Sequence, residues 1–465
     1  MCLLWAAAPS VGASRRARWR RRPWQAELMP AANSHSENGR AIGLWGAVSI
    51  GVGGMVGGGI FAVLGEAMAL SHGATPAAFL VGGVIALLTA VAYAKLSVAY
   101  PSQGGTVAFI DAAFGSNLLS GSLNLMLWLS YLVTIALYAT AFASYAGTFF
   151  GRHHGVLLEH GLISFAIILP TVVNLVSAAL VSRSETLVVA IKVVLLAIVI
   201  VFSASHVSVA RLAPGHWGDP LSVISAGMII FVAYEGFELI ANSAEDIRQP
   251  ARNLPRAFLI AVASVVLLYV LIAVIAVGTV PEAQVMAVRD YVLAVAAEPA
   301  LGRVGFVLVA LAALLATLSA INATLYGNAR LGYVLARDGV LPSRFDVERH
   351  GLPLTGVLAT AALSLVLANV IDLTDIAIIG SASFLLVFAL VNAAACRLAE
   401  PIQGPRWLHA LGGVLCVAAL VVLIGHTWRS NPAGVAVFAG FVLISALFEF
   451  VYGRSVRGHF LKRRY

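Results

Sequence analysis

The sequence predicts an all-α polytopic membrane protein with twelve transmembrane helices. They are arranged as a five-plus-five inverted repeat with broken helices 1 and 6, plus two extra helices. Three observations predict this. Of 465 residues, 60% are hydrophobic and 11% are charged, against about 25% charged in a soluble domain. Twelve apolar runs can be marked, most near the ~20 residues that a helix needs to cross a bilayer. Two of them, the first and the sixth, are interrupted near their middles.

The chain opens on Arg15, Arg16, Arg18, Arg20, Arg21 and Arg22. No adequate apolar segment follows, which argues against a cleaved signal peptide. Residues 1–28 read either as a disordered basic arm or as sequence ahead of a start at Met29, and 1–40 as a basic N-terminal tail. The runs follow at roughly 42–68, 76–99, 118–149, 161–181, 186–205, 220–242, 254–280, 304–336, 354–371, 373–396, 407–427 and 432–452. They divide into a first repeat over 41–205, a second over 206–397, two further helices over 398–452 and a basic tail over 453–465.

The first run contains Gly51-Val-Gly-Gly-Met-Val-Gly-Gly-Gly-Ile-Phe61, with six glycines in eleven residues. Each costs a helix about 1 kcal/mol relative to Ala. Non-helical backbone survives at membrane depth only where it is buried in protein or lines a wet cavity. Glycine also permits close helix packing, but three in succession, Gly57 to Gly59, favour a break. A break leaves N–H groups on one side and carbonyls on the other, ready partners for an anion and a cation.

After the second run, Tyr100–Gly115 combines small residues with an amphipathic turn or two and reads as a short interfacial helix. The sixth run carries Glu235 and Glu238 on either side of Gly236 and Phe237. A carboxylate at the bilayer centre costs about 2.5–3.5 kcal/mol on insertion scales and is expected to face a cavity or a partner. Corresponding breaks in two halves point to a substrate site in carriers built from inverted repeats. The stretch 281–302 reads as a partly helical cap.

Loop charge orients the chain. With both termini cytoplasmic, the inner segments hold 23 Lys and Arg and the outer loops five; without residues 1–28 the inner count is 17. This satisfies the positive-inside rule. The net charge of +8 lies in loops and tails rather than on one face, so nucleic acid is not an expected partner. Cys2, Cys396 and Cys416 form no disulfide framework. His153 and His154 have no third ligand nearby, so no metal and no cofactor is expected, and a membrane enzyme finds no support. A channel would call for a repeated filter loop, which is missing from the sequence.

Four stretches resemble the amino acid permeases of the amino acid–polyamine–organocation superfamily, over about residues 41–400. They are Gly51–Phe61, Tyr100–Gly115, Phe231–Arg256 and Thr317–Pro342. The resemblance implies an alternating-access carrier in the plasma membrane. It would place a substrate carboxylate on the backbone N–H groups of Val56, Gly57, Gly58 and Gly59. The ammonium would face the carbonyls of Val232, Ala233 and Glu235, beside Phe231 and Glu238. An acidic residue at Glu238 is common in the family; Glu235 is a departure, since that position is usually apolar. A side-chain pocket would draw on Ser130, Tyr131, Thr134, Tyr138, Phe231, Tyr234 and Phe237. Lys192, inside the fifth run, matches a lysine that approaches the broken first helix in the place of a sodium ion in related carriers. Thr317, Ser319 and Asn322 would be its polar neighbours. Desolvation disfavours a charged amine, which suits a group that exchanges a proton, so proton-coupled uptake of an amino acid is the expectation. Exchange of an amino acid or polyamine, with a cationic substrate, is the alternative. The light-chain branch of the family pairs with a glycoprotein through a cysteine between helices three and four. Gly151–His160 has none, so no disulfide-linked heavy chain is expected.

Overall fold

The computed structural model describes residues 41–151, 155–176, 178–348 and 352–455, with the side chains of 178–186 excepted. The expected N-terminal tail, most of the C-terminal tail, and His153 and His154 lie outside the described residues. Among these residues there is no strand, only two isolated bridges, Ile42 with Ile247 and His72 with Trp217. The helices are α1 (Leu44–Met55), α2 (Gly59–Ser71), α3 (Thr75–Ala99), α4 (Thr106–Phe114), α5 (Leu118–Gly147), α6 (Val156–Val176) and α7 (Ala178–Ser203). There follow α8 (Pro220–Ile229), α9 (Leu239–Asn242), α10 (Pro250–Thr279), α11 (Glu282–Val288), α12 (Val292–Ala296) and α13 (Glu298–Arg337). The chain closes on α14 (Leu354–Val370), α15 (Leu373–Arg397), α16 (Arg406–Ser430) and α17 (Pro432–Ser455).

Among the described residues, ten segments are long and apolar enough to cross a membrane, and the pair α1 and α2, bent by 50°, makes an eleventh. The ninth apolar run forms the shorter helix α14, 17 residues long. At 1.5 Å per residue it spans about 26 Å, slightly under the ~30 Å of a bilayer core.

The distribution of polarity is that of a protein solvated by lipid. α2 is buried from Gly59 to Met68, and α5 is buried over most of its length. α6, α7, α16 and α17 turn apolar side chains outward, among them Leu157, Val201, Val421 and Leu443. Water would penalise such a surface by roughly 25 cal/mol per Å²; hydrocarbon does not. The broken segments lie in the buried interior, so their freed backbone groups are shielded from lipid, as they must be.

Two connecting stretches take definite form. Residues 281–302 are helical for much of their length, through α11, a 3₁₀ turn at Arg289–Tyr291 and α12. This cap is fastened to α2. The Arg289 guanidinium lies 3.2 Å from the Glu66 carboxylate, which also accepts from Thr374 Oγ1 at 2.7 Å. His72 and Glu282 lie 2.8 Å apart. Burial raises the Asp290 carboxyl above its usual range, and the neighbouring Arg289 opposes that rise. The expected short helix is present as α4, and it packs against the bundle. Thr106, Val107, Phe109, Ile110, Asp111 and Ala113 are buried. Tyr93 and Thr106 join hydroxyls at 2.8 Å, and Phe109 packs edge-on against Tyr93.

Gly65 seats the cap, because a Cβ there would lie 2.6 Å from Arg289 Cα. Gly65→Val should therefore lift residues 281–297 from α2. Limited proteolysis of the purified protein should cut this stretch faster than in wild type; an unchanged cleavage rate would show that the contact does not hold the cap.

Candidate functional site

The site is built where the two interrupted segments meet. α1 stops because glycines replace the side chains that would pack a continuing helix. Its last turn is closed by Val56 N–H on Val52 carbonyl at 2.8 Å. That corrects one expectation: the Val56 N–H is engaged in α1 and does not point its hydrogen at an open site. Gly57 and Gly58 precede α2 and Gly59 opens it, where an α-helix leaves its leading N–H groups without internal partners. Gly58 sits against the Tyr138 ring and Gly59 against the Ala233 backbone. α8 unwinds into a 3₁₀ turn at Ile230–Tyr234, then an extended residue, Glu235 (φ −63°, ψ 148°), then Gly236 at φ +114°. The N-terminal end of α2, with its partial positive charge, thus adjoins the carbonyl end of α8, with its partial negative charge.

The two breaks touch backbone to backbone. A Cβ on Gly54 would lie 2.7 Å from the Gly236 oxygen, and one on Gly236 would lie 2.7 Å from Met55 N. Two side chains from other helices hold the arrangement. Tyr269 on α10 donates its hydroxyl to Met55 carbonyl at 2.6 Å, with Ala233 carbonyl also in reach at 3.2 Å. Ser381 on α15 accepts from Val232 N–H at 2.9 Å and donates to Ile229 carbonyl at 2.6 Å. Of the three expected carbonyls, Val232 accepts from Glu235 N–H at 3.2 Å and Ala233 faces Tyr269. Each keeps a second lone pair.

Both glutamates are buried. Tyr138 Oη donates to Glu235 Oε2 at 3.1 Å. Glu238 accepts from Tyr131 Oη at 3.0 Å on one oxygen and from Gly236 N–H at 2.9 Å on the other.

Lys192 on α7 is 1% exposed and donates from Nζ to Gly53 carbonyl at 2.8 Å. Hydrogen bonds are seen for two of its three expected polar neighbours. Thr317 donates to Ala313 and Leu314 carbonyls of its own helix, Asn322 accepts from Asn174 at 2.6 Å, and Ser319 is half-buried. Of the pocket candidates, Tyr131 and Tyr138 reach the glutamates. Ser130 and Thr134 bond back along α5. Tyr234 instead donates to Phe79 carbonyl at 2.7 Å. Phe231 and Phe237 pack on Phe388 within an aromatic cluster that includes Tyr93 and Phe258. Tyr269 and Ser381 were not expected as site residues. Their sequence signal is a polar side chain in an apolar run, which the seventh and tenth runs share with other places. Cys396 and Cys416 are free thiols.

Among the described residues, an apolar helical bundle with two interrupted segments meeting at its centre is an arrangement found in membrane carriers. Residues 46–450 match the amino acid permease family, and the chain belongs to it. It is an integral membrane protein and a transporter of the amino acid–polyamine–organocation type. It is 33% identical to the inner membrane transport protein YbaT of Escherichia coli over 91% of this chain and 99% of that one. It is 32% identical to an uncharacterized protein of Methanocaldococcus jannaschii, over 92% of this chain and 98% of that one. It is 22% identical to the branched-chain amino acid permease BcaP of Bacillus subtilis, over 92% and 96%.

Gly236→Ala should be more damaging than Tyr269→Phe. The first forces a side chain into positive φ, at about 1–3 kcal/mol, and into the α1 backbone. The second removes one hydrogen bond, at about 1 kcal/mol. Unfolding midpoints in detergent should rank wild type, Tyr269→Phe and Gly236→Ala in falling order; the reverse order of the two variants would refute the backbone contact.

Proposed function

We propose that the chain is a plasma-membrane carrier that takes up an amino acid by alternating access, driven by protons. In this reading twelve helices span the membrane as a five-plus-five inverted repeat, over 41–205 and 206–397, with two helices added and both termini cytoplasmic. The substrate carboxylate lies on the N–H groups of Gly57, Gly58 and Gly59. Its ammonium faces the carbonyls of Val232, Ala233 and Glu235, with Phe231 and Glu238 behind them. The observation that carries the reading is the meeting of the α2 N-terminus with the unwound end of α8, since Gly59 lies against Ala233. A zwitterion matches those opposed partial charges. The Escherichia coli relative, named for the inner membrane, supports the location.

Lys192 is the proposed proton carrier. Its ammonium is bound to the Gly53 carbonyl, three residues before the break, so loss of its proton would loosen α1 at the point where the substrate binds. This links protonation to the geometry of the site. Thr317, Ser319 and Asn322 are the proposed polar neighbours of Lys192.

A second reading, exchange of a cationic amino acid or a polyamine, is favoured by the carboxyl pair Glu235 and Glu238 at the break. A second positive group on the substrate would pair with Glu235. The two readings separate on Glu235→Gln, which should weaken uptake of a cationic substrate about tenfold or more while leaving a neutral one within about threefold.

Uptake into proteoliposomes with an imposed pH gradient tests the main reading. Wild-type uptake should rise with an inward proton gradient, and saturable counterflow should be seen, as for a carrier. Lys192→Ala should remove the pH dependence while the folded protein is retained. Transport by Lys192→Ala as pH-dependent as wild type would dismiss Lys192 as the carrier.

A further inference from the structure

A groove of about 780 Å³ lies between α15 and α16, away from the two breaks. Arg397 and Arg406 line it where the helices approach their connecting loop, and Ala389, Gly413 and Val417 line its apolar length. The substrate site uses none of them.

We propose that this groove holds one phospholipid with a net negative head group, its phosphate at Arg397 and Arg406. Charge supports that end of the site. Among the described residues, neither arginine forms an ion pair. Arg406 bonds only from Nε, to Cys396 carbonyl at 3.3 Å, and Arg397 stacks over the Phe114 ring at 5.8 Å. Their terminal nitrogens suit a phosphate, which guanidinium groups bind in a forked geometry. The dimension supports the other end. From Arg406 to Ala418, the deepest lining residue on α16, the helix rises about 18 Å at 1.5 Å per residue. That is close to the ~15 Å hydrocarbon depth of one leaflet. A basic pocket between membrane helices with an apolar tail slot is the form expected for an anionic lipid. A soluble phosphate would need only the basic end.

The occupant can be identified on the full chain purified in detergent, by native mass spectrometry with added phosphatidylglycerol or phosphatidylcholine of the same acyl chains. One phosphatidylglycerol should be retained per chain in preference to phosphatidylcholine. Each of Arg397→Gln and Arg406→Gln should reduce that preference about fivefold, following the ~1 kcal/mol contributed per basic residue near a lipid surface. Gly413→Leu gives an independent test that leaves every charge in place. A Cβ at Gly413 meets nothing closer than 3.5 Å, so the substitution should fold, fill the slot and lower retention. Equal retention of the two lipids, or undiminished phosphatidylglycerol binding by both arginine variants, would overturn the proposal. So would its displacement by millimolar glycerol phosphate, which would identify a free-anion pocket.

Discussion

Everything at the centre of this carrier depends on two glycines meeting without side chains between them. Gly54 lies in the last turn of the first half of one span, and Gly236 turns the chain in the other at φ +114°. Their contact brings unwound backbone from both segments to one place. No side chain could supply what results: the positive end of α2 and the carbonyl end of α8 in register, inside a bundle that keeps lipid away. The surrounding helices can be understood as supports for that contact. α10 fastens both sides of it through Tyr269, α15 braces the second side through Ser381, and α7 anchors the first through Lys192.

The charges near the contact are arranged so that none is left bare. Glu238 receives a backbone N–H and a tyrosine hydroxyl. Glu235 receives a tyrosine hydroxyl. Lys192 donates to a carbonyl. A buried ionic group without such partners is strongly destabilising, so the tyrosines of α5 are as necessary to the acidic pair as the acids are to the site.

Much of this was legible in the sequence, for a physical reason. Interruption of a membrane helix demands specific residues, and Gly57–Gly59 and Glu235–Glu238 supply them conspicuously. The depth of Lys192 was likewise visible from its position in an apolar run. What could not be read was orientation around a helix axis. Every face of a buried membrane helix is apolar, so periodicity does not say which tyrosine faces the site. Tyr234 was expected there and bonds to Phe79; Tyr269 was passed over and joins both breaks. The docked position of α4 was hidden for a related reason. Its fit depends on Tyr93, an aromatic contributed by another helix, and composition alone resembles that of a surface-lying helix.

Ser381 has a consequence for how such a molecule could change shape. One hydroxyl both accepts from Val232 and donates to Ile229, standing in for a rung of helix that the unwound turn lacks. A helical rung can be undone only by altering the backbone. A rung made of a serine hydroxyl is undone by rotating one χ1 angle between staggered wells. The second break is therefore fastened to α15 by a latch rather than a weld, and the chain on either side of it can part and rejoin without any helix having to refold.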